Sequence, residues 1–297
     1  MLNNFRARLI SQLGRAQANS EIKWMNQFIV DSTGPGAKAT ANTLRLEDLL
    51  RRRVGGEPLQ YILGTQPFGQ LDLLVRPPTL IPRHETEEWS LKLAKATTPC
   101  PSAPITILDL GTGTGCIPLL FATIWPQGSV HAHAVDISEH AVRLSTENAL
   151  RAGVSTRNTD AKEARNTFTA FRADYTQDKF WEDPRLKPPY NLVTSNPPYI
   201  PLQEYEELPP SVRLYEDKQA LYGGKDGLDF YRSIGRVLGF PGALASEATI
   251  ALEVGHDQAS QVAEIVERIP RIDIGSLEIW KDAWGKDRTV VARTHEP

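Results

Sequence analysis

From Ile105 to the end of the chain, short apolar runs alternate with amphipathic ones, and this alternation restricts the fold more than any other feature. The runs at 105–110, 130–137, 168–174, 190–195 and 248–255 have the length and apolar content of strands covered on both faces. Helical patterns separate most of them: one opening after the Gly111 to Gly115 turn, then 138–153, 227–239 and 257–269. Strand and helix in turn predict an α/β fold with a parallel sheet between two helical layers. Two last runs, 277–282 and 288–295, flank the polar turn "AWGK" and predict an antiparallel hairpin at one side of the sheet, which makes seven strands in all.

The first part of the chain has a different texture. Helical spacing covers 5–16, 20–30 with Ser20 as its cap, and 44–54, separated by the breaker at 31–42. The basic end "RRRVGG" reads as a solvated last turn complementing the helix dipole. From Leu59, short β-prone runs mixed with Gly and Pro predict a hairpin joining two domains, and a helix follows at 85–96. The expected division is a helical domain over 1–58, a hairpin linker over 59–82 and an α/β domain over 83–297. The polar stretch 155–167 reads as a surface insertion.

With 297 residues and a net charge of -3, the chain has no basic face of the kind that marks a duplex DNA binder. Its two cysteines, Cys100 and Cys116, supply neither a disulfide framework nor a paired-cysteine metal site, which points to a soluble intracellular protein. No apolar run approaches the ~20 residues of a membrane span. The opening residues carry Arg6, Arg8 and Arg15 and no acid before Glu21. That reads equally as a mitochondrial presequence and as the first amphipathic helix of a domain, with Phe5, Leu9, Ile10 and Leu13 on its apolar face.

Gly111, Gly113 and Gly115 fall at the turn from a buried strand into a helix, where glycine permits positive φ and free N–H groups attract an anion. The spacing is not that of a dinucleotide turn, and Asp109 stands two residues before it. An acid there disfavours a pyrophosphate and suits a ligand that carries both an ammonium and a carboxylate. S-adenosylmethionine (SAM) is such a ligand. Its amino group is expected to face Asp109 and its carboxylate the helix start, with Thr112 between the glycines. Asp136, followed by Ile137, ends the second strand where a ribose is received, and Asp174 ends the third on the adenine side.

The run 190–195 stops at "NPPY", Asn196 to Tyr199. Pro197 and Pro198 fix their own φ, restrict the residue before each, and remove two donors, leaving a stiff row of acceptors. The Asn196 side-chain oxygen and the Pro197 carbonyl are expected to accept both hydrogens of a planar NH2 group and aim its nitrogen at the methyl of the sulfonium. Tyr199 is expected to stack over the planar group.

These motifs resemble those of the protein-glutamine methyltransferases that modify peptide chain release factors, the HemK/PrmC family. The likeness runs through "GEPLQYILGTQPFGQLDLLV", "TLIPRHETEE", "DLGTGTGCIPL", "SNPPYIP" and "ALYGGKDGLDFYRSI". It implies a seven-stranded, Rossmann-like SAM-dependent methyltransferase fold, with Gly111, Gly113, Gly115, Asp136 and Asn196 at SAM. It also implies Arg83, Thr86 and Glu87 on the cofactor side, and Asn196, Pro197, Pro198 and Tyr199 around the glutamine amide. The implied substrate is the glutamine of a Gly-Gly-Gln loop in a class I release factor, gripped by the helical domain of a monomer, with neither DNA nor membrane involved. His84 replaces the family's usual proline, "YEDKQAL" replaces its "YEP" run, and the segment between Asp174 and Tyr190 is expanded as in fungal mitochondrial members. A mitochondrial matrix location follows, with the cytoplasm as the alternative.

Two other readings fit the same residues: methylation of an exocyclic amine, such as adenine's, on DNA or RNA, and a SAM-binding module without catalysis. His131 and His133 share one strand face but have no third ligand, so no metal is expected. His256 reads as a cap or surface residue, Glu253 as a buried, hydrogen-bonded structural acid, and Cys116 as a small hydrophobe. Trp24, Trp125, Trp280 and Trp284 read as core or domain-contact residues.

Overall fold

The computed structural model describes residues 1–33, 39–156 and 165–295. It opens with four helices, α1 (Leu2–Leu13), α2 (Arg15–Thr33), α3 (Ala39–Val54) and α4 (Leu59–Leu63). Gly14, at φ 80°, ends α1, and α2 starts at the next residue. No Gly or Pro interrupts 15–33, so the second run starts at Arg15, ahead of Ser20, and the first ends at Leu13 rather than at Ala16. Ser20 does not cap it; its hydroxyl donates to the Ala16 carbonyl one turn back. Leu9, Met25 and Leu50 are fully buried at the centre of this bundle, and Leu59 and Ile62 of α4 pack into the same cluster. Phe5, Ile10 and Leu13 line the inner face of α1, as its spacing predicts.

Two further expectations for this region are corrected. The basic end of α3 is not uniformly solvated: Arg53 Nε lies 2.7 Å from Oε2 of Glu21, which is 3% exposed, so the pair ties α3 to α2. A carboxylate taken out of water needs such a partner. Residues 59–63, read as part of the hairpin, form α4, because Leu59 and Ile62 sit one helical turn apart facing the bundle. Gly64 in the left-handed region closes α4, and the hairpin proper is β1 (Thr65–Phe68) with β2 (Leu71–Leu74), antiparallel from Thr65↔Leu74 to Phe68↔Leu71.

The rest follows the alternation: α5 (His84–Ala96), β3 (Ile105–Leu110), α6 (Cys116–Ile124), β4 (Val130–Asp136), α7 (Glu139–Arg151), β5 (Thr167–Arg172) and β6 (Tyr190–Ser195). Three short helices, α8 (Leu202–Glu207), α9 (Pro210–Arg213) and α10 (Lys218–Leu221), lead to α11 (Asp229–Leu238), β7 (Leu244–Glu253), α12 (Ala259–Glu267), β8 (Ile274–Lys281) and β9 (Asp287–Thr294). The seven strands lie in the order β5-β4-β3-β6-β7-β9-β8; β5 through β7 are parallel, and β8 and β9 form the antiparallel edge hairpin. β7 begins before the apolar pattern, because an irregularity with Glu247 at φ 55° lets its polar start pair with β6 at Tyr190↔Leu244.

Alternate residues of the central strand serve different cores. Ile107 faces the layer with Phe121 and Phe168, while Leu108 and Leu110 face the layer with Tyr190 and Tyr231. Most of the polar stretch read as an insertion, 157–164, lies outside the described residues, as does 34–38 of the N-terminal breaker.

Candidate active site

Strand order reverses between β3 and β6, and in open α/β sheets the crevice beyond the carboxyl ends at such a point takes the ligand. The glycine turn leaves β3 there and "NPPY" leaves β6 beside it. Two side-chain bonds lock the strand ends together: Thr194 Oγ1 donates to Asp109 Oδ1 at 2.5 Å, and Ser195 Oγ donates to the Leu110 carbonyl at 2.6 Å. Gly111, Gly113 and Gly115 all have positive φ, at 73°, 55° and 80°. A β-carbon at Gly115 would stand 3.1 Å from Leu119, Ser145 and Phe168, so close packing as well as φ selects glycine there.

The turn's amides are less free than the sequence suggests. Gly111 and Thr112 donate to the Val135 carbonyl at 2.9 and 3.0 Å, and Gly113 donates to Asp136 Oδ2 at 2.9 Å. Free anion-attracting donors remain at the start of α6, where Cys116 and Ile117 line the cavity, Pro118 has no N–H and Leu119 donates to Gly115.

A cavity of about 770 Å³ fills the crevice. Of the residues anticipated from the sequence, Arg83, Thr86, Gly111, Thr112, Gly113, Asp136, Ile137, Asp174, Asn196 and Pro198 are on its wall. Asp136 receives Gly113 on one oxygen and the Ser138 amide, at 2.9 Å, on the other, and burial raises its carboxyl. Asp174 accepts from the amide and hydroxyl of Thr176, so it braces its own turn beside the cavity. Arg83 reaches Glu216, 5% exposed, with contacts of 2.8 and 2.6 Å. Burial raises the Glu216 carboxyl against the pull of Arg83.

Asp109, Gly115, Glu87, Pro197 and Tyr199 are off the wall. Asp109 is 1% exposed, its Oδ2 has no partner, and burial pushes its carboxyl up to about 6. The Thr112 and Thr114 hydroxyls next to the turn are likewise buried without partners. Glu87 follows Thr86 on α5 and is rotated away by the ~100° that a helix turns per residue. Tyr199 does not cover the cavity: its ring packs into the α11 and α12 side of the core, where a β-carbon at Gly255 would stand 3.4 Å from Cδ2. Burial raises its phenol.

Asn196 is anchored from behind. Its Nδ2 donates to Thr86 Oγ1 at 3.2 Å, and the Thr86 hydroxyl donates to Glu253 Oε2 at 2.6 Å. Trp89 Nε1 donates to the same oxygen at 2.8 Å. Among the described residues no donor bonds Asn196 Oδ1 or the Pro197 carbonyl.

No family model matches the chain. A release factor glutamine methyltransferase of Geobacter sulfurreducens is 38% identical to it over 245 residues, which cover 82% of this chain and 76% of the relative. The chain belongs to the release factor glutamine methyltransferases. The human MTRF1L release factor glutamine methyltransferase is 33% identical over 258 residues, covering 85% of this chain and 72% of the relative. A methyltransferase of Pyrococcus furiosus, 14% identical, shares the fold at a TM-score of 0.50 over 77% of this chain and 91% of its own.

In this family member the glycines of "GGKDG" press against the "NPPY" backbone, a role that sequence reading missed. A β-carbon on Gly223 would stand 2.6 Å from the Pro198 carbonyl, and one on Gly227, at φ 77°, would stand 2.3 Å from that of Tyr199. The Ile200 amide donates to Leu221 and its carbonyl accepts from Gly223. Gln258 Nε2 donates to the Tyr199 carbonyl at 2.9 Å. The only signal for this clamp was three glycines in five residues downstream of the prolines. His131 and His133 bond Thr167 and Tyr190, and among the described residues no cluster could hold a metal.

Proposed function

We propose that this chain transfers a methyl group from SAM to the side-chain amide nitrogen of the glutamine in the Gly-Gly-Gln loop of a class I release factor. One observation carries the reading: a single cavity at the sheet's switch point is lined both by the glycine turn and by Asn196, whose oxygen is uncommitted. The residues fit SAM. Asp109 Oδ2 and the Thr112 hydroxyl, buried without partners, supply acceptors for an ammonium; the first turn of α6 supplies donors for a carboxylate; Asp136 keeps lone pairs for ribose hydroxyls; and Asp174 borders the adenine side. When bound, SAM supplies an electrophilic methyl on a sulfonium.

The chain's own residues then orient the acceptor. Asn196 Oδ1 and the Pro197 carbonyl take the two N–H groups of the glutamine amide, which holds the nitrogen still and favours the geometry that frees its lone pair. No strong base is required, because the nitrogen is acidic once alkylated. Residues 1–58, together with α4 packed into their core, serve as the release factor's docking domain, with the segment from Thr65 to 82 as the linker and 83–297 as the catalytic domain. The protein acts as a monomer without DNA or membrane; no helix of the described residues is long and apolar enough to cross one. A mitochondrial matrix location, with the cytoplasm as the alternative, belongs to this reading; the expanded segment between Asp174 and Tyr190 supports it, and Arg6, Arg8 and Arg15 are compatible with it.

Incubating the protein with labelled SAM and a class I release factor gives label on the Gly-Gly-Gln glutamine; label that persists after that glutamine is replaced refutes the site. A pH dependence also follows. Asp109 attracts an ammonium only when ionised, and its carboxyl, pushed up to about 6, loses its charge as pH falls through that value. SAM affinity measured by calorimetry should be highest near pH 7 and weaken by up to about tenfold per unit below 6. The Asp109→Asn variant should bind weakly at every pH, with a flatter profile.

A further inference from the structure

We infer that Glu253, acting through Thr86, decides which end of the Asn196 amide faces the substrate, and is thereby a positioning residue for methyl transfer. The inference rests on the proposed function for its chemistry and on the following geometry for its direction. Glu253 closes β7 and is 1% exposed; Thr86 and Trp89, 1% and 3% exposed, lie on α5 and converge on its Oε2. The indole N–H can only donate, and a carboxylate can only accept. Burial raises the Glu253 carboxyl, while the bonds from Thr86 and Trp89 and the charge of Arg288 act to lower it and so favour the carboxylate that the two donors face.

The Thr86 hydroxyl has a single proton, and it is spent on Glu253. Toward Asn196 its oxygen can therefore only accept, so Nδ2 turns to Thr86 and Oδ1 is left for the cavity. The opposite orientation would set two acceptors against each other at Thr86 and present an NH2 group to the NH2 of a glutamine. Nothing else among the described residues bonds the Asn196 amide, whose two ends are nearly equal in size and distinguished only by what they bond. The acid at the end of "ALEVG" thus sets the polarity of a side chain it never touches.

The same cluster also packs α5 against β7, so the test must separate orientation from mere support. Four variants do this in release-factor methylation and SAM calorimetry. Thr86→Val and Glu253→Leu remove the hydroxyl or its acceptor, and kcat should fall about 10- to 100-fold, the range for a lost orienting hydrogen bond in an active site. SAM affinity should stay within about threefold. Thr86→Ser keeps the hydroxyl, and Glu253→Gln keeps an oxygen able to accept both donors; each should recover most of the rate. Wild-type turnover in the Val and Leu variants, equal losses in all four, or a parallel collapse of SAM binding would overturn the inference.

A second readout needs no substrate. In 15N-asparagine-labelled protein the Asn196 side-chain NH2 signals, assigned by their loss in Asn196→Asp, should exchange slowly in the wild type and in Thr86→Ser and rapidly in Thr86→Val. Equal exchange in all three excludes the bond to Thr86 and with it the relay. If the wild type labels no release factor, the proposed substrate is wrong, while this measurement still decides what sets the Asn196 amide.

Discussion

Asn196→Ala is expected to lower methylation of the release factor by two or more orders of magnitude while SAM affinity stays within a few-fold. The asymmetry comes from where Asn196 sits. It follows β6 on the cavity wall, and the groups suited to the cofactor's charged ends are others: Asp109, Thr112 and the first turn of α6. Removing the amide leaves those intact. What is lost is an acceptor that holds one N–H of the substrate, and a lost orienting group of this kind costs about 3 to 4 kcal/mol of transition-state stabilisation. Stability should change little, since only the Thr86 hydroxyl, which keeps Glu253 as its partner, loses a bond. Single-turnover rates with saturating SAM and release factor, set beside calorimetric SAM binding, check both halves. Unchanged turnover in this variant would end the mechanism.

The sheet was legible because it is buried on both faces. Runs such as 105–110 and 190–195 have few polar interruptions, and their order followed from helical patterns between them. The candidate site was legible for a related reason: the cavity sits where strands end, so Asp136, Asp174 and Asn196 on its wall announce themselves as polar residues terminating apolar runs. Contacts that join distant parts of the chain were not legible. Thr86 and Glu253 are 167 positions apart, and Arg83 and Glu216 are 133 apart; periodicity carries no information about such pairs. The hidden partner of Arg53 is of the same kind, since Glu21 is on another helix. The motif suggested stacking for Tyr199, but its ring packs into the core shared with α11 and α12, a contact between distant parts of the chain.

Asp136 should prove the most demanding carboxylate in the protein, because it serves the turn and the ligand at once. Its two oxygens each accept one backbone amide, from Gly113 and from Ser138, at 2.9 Å. The first bond pins the glycine turn to the end of β4, and the second starts the loop into α7. Asp136→Ala leaves both donors without their acceptor, at about 1 to 3 kcal/mol each where water cannot replace it. It also removes the charge toward which ribose hydroxyls would donate, a further 1.5 to 3 kcal/mol or so for each hydroxyl. SAM affinity should therefore fall at least about a hundredfold, taking tenfold for each 1.4 kcal/mol, and the melting temperature should drop as well. Asp136→Asn tests both roles while keeping the size of the side chain. Its amide has one accepting end, so either Gly113 or Ser138 meets an NH2 group, and the variant should lose stability almost as alanine does. Calorimetry and thermal unfolding of both variants, with and without SAM, give the comparison. If Asp136→Asn binds and melts like the wild type, Asp136 neither holds the turn nor receives the ribose.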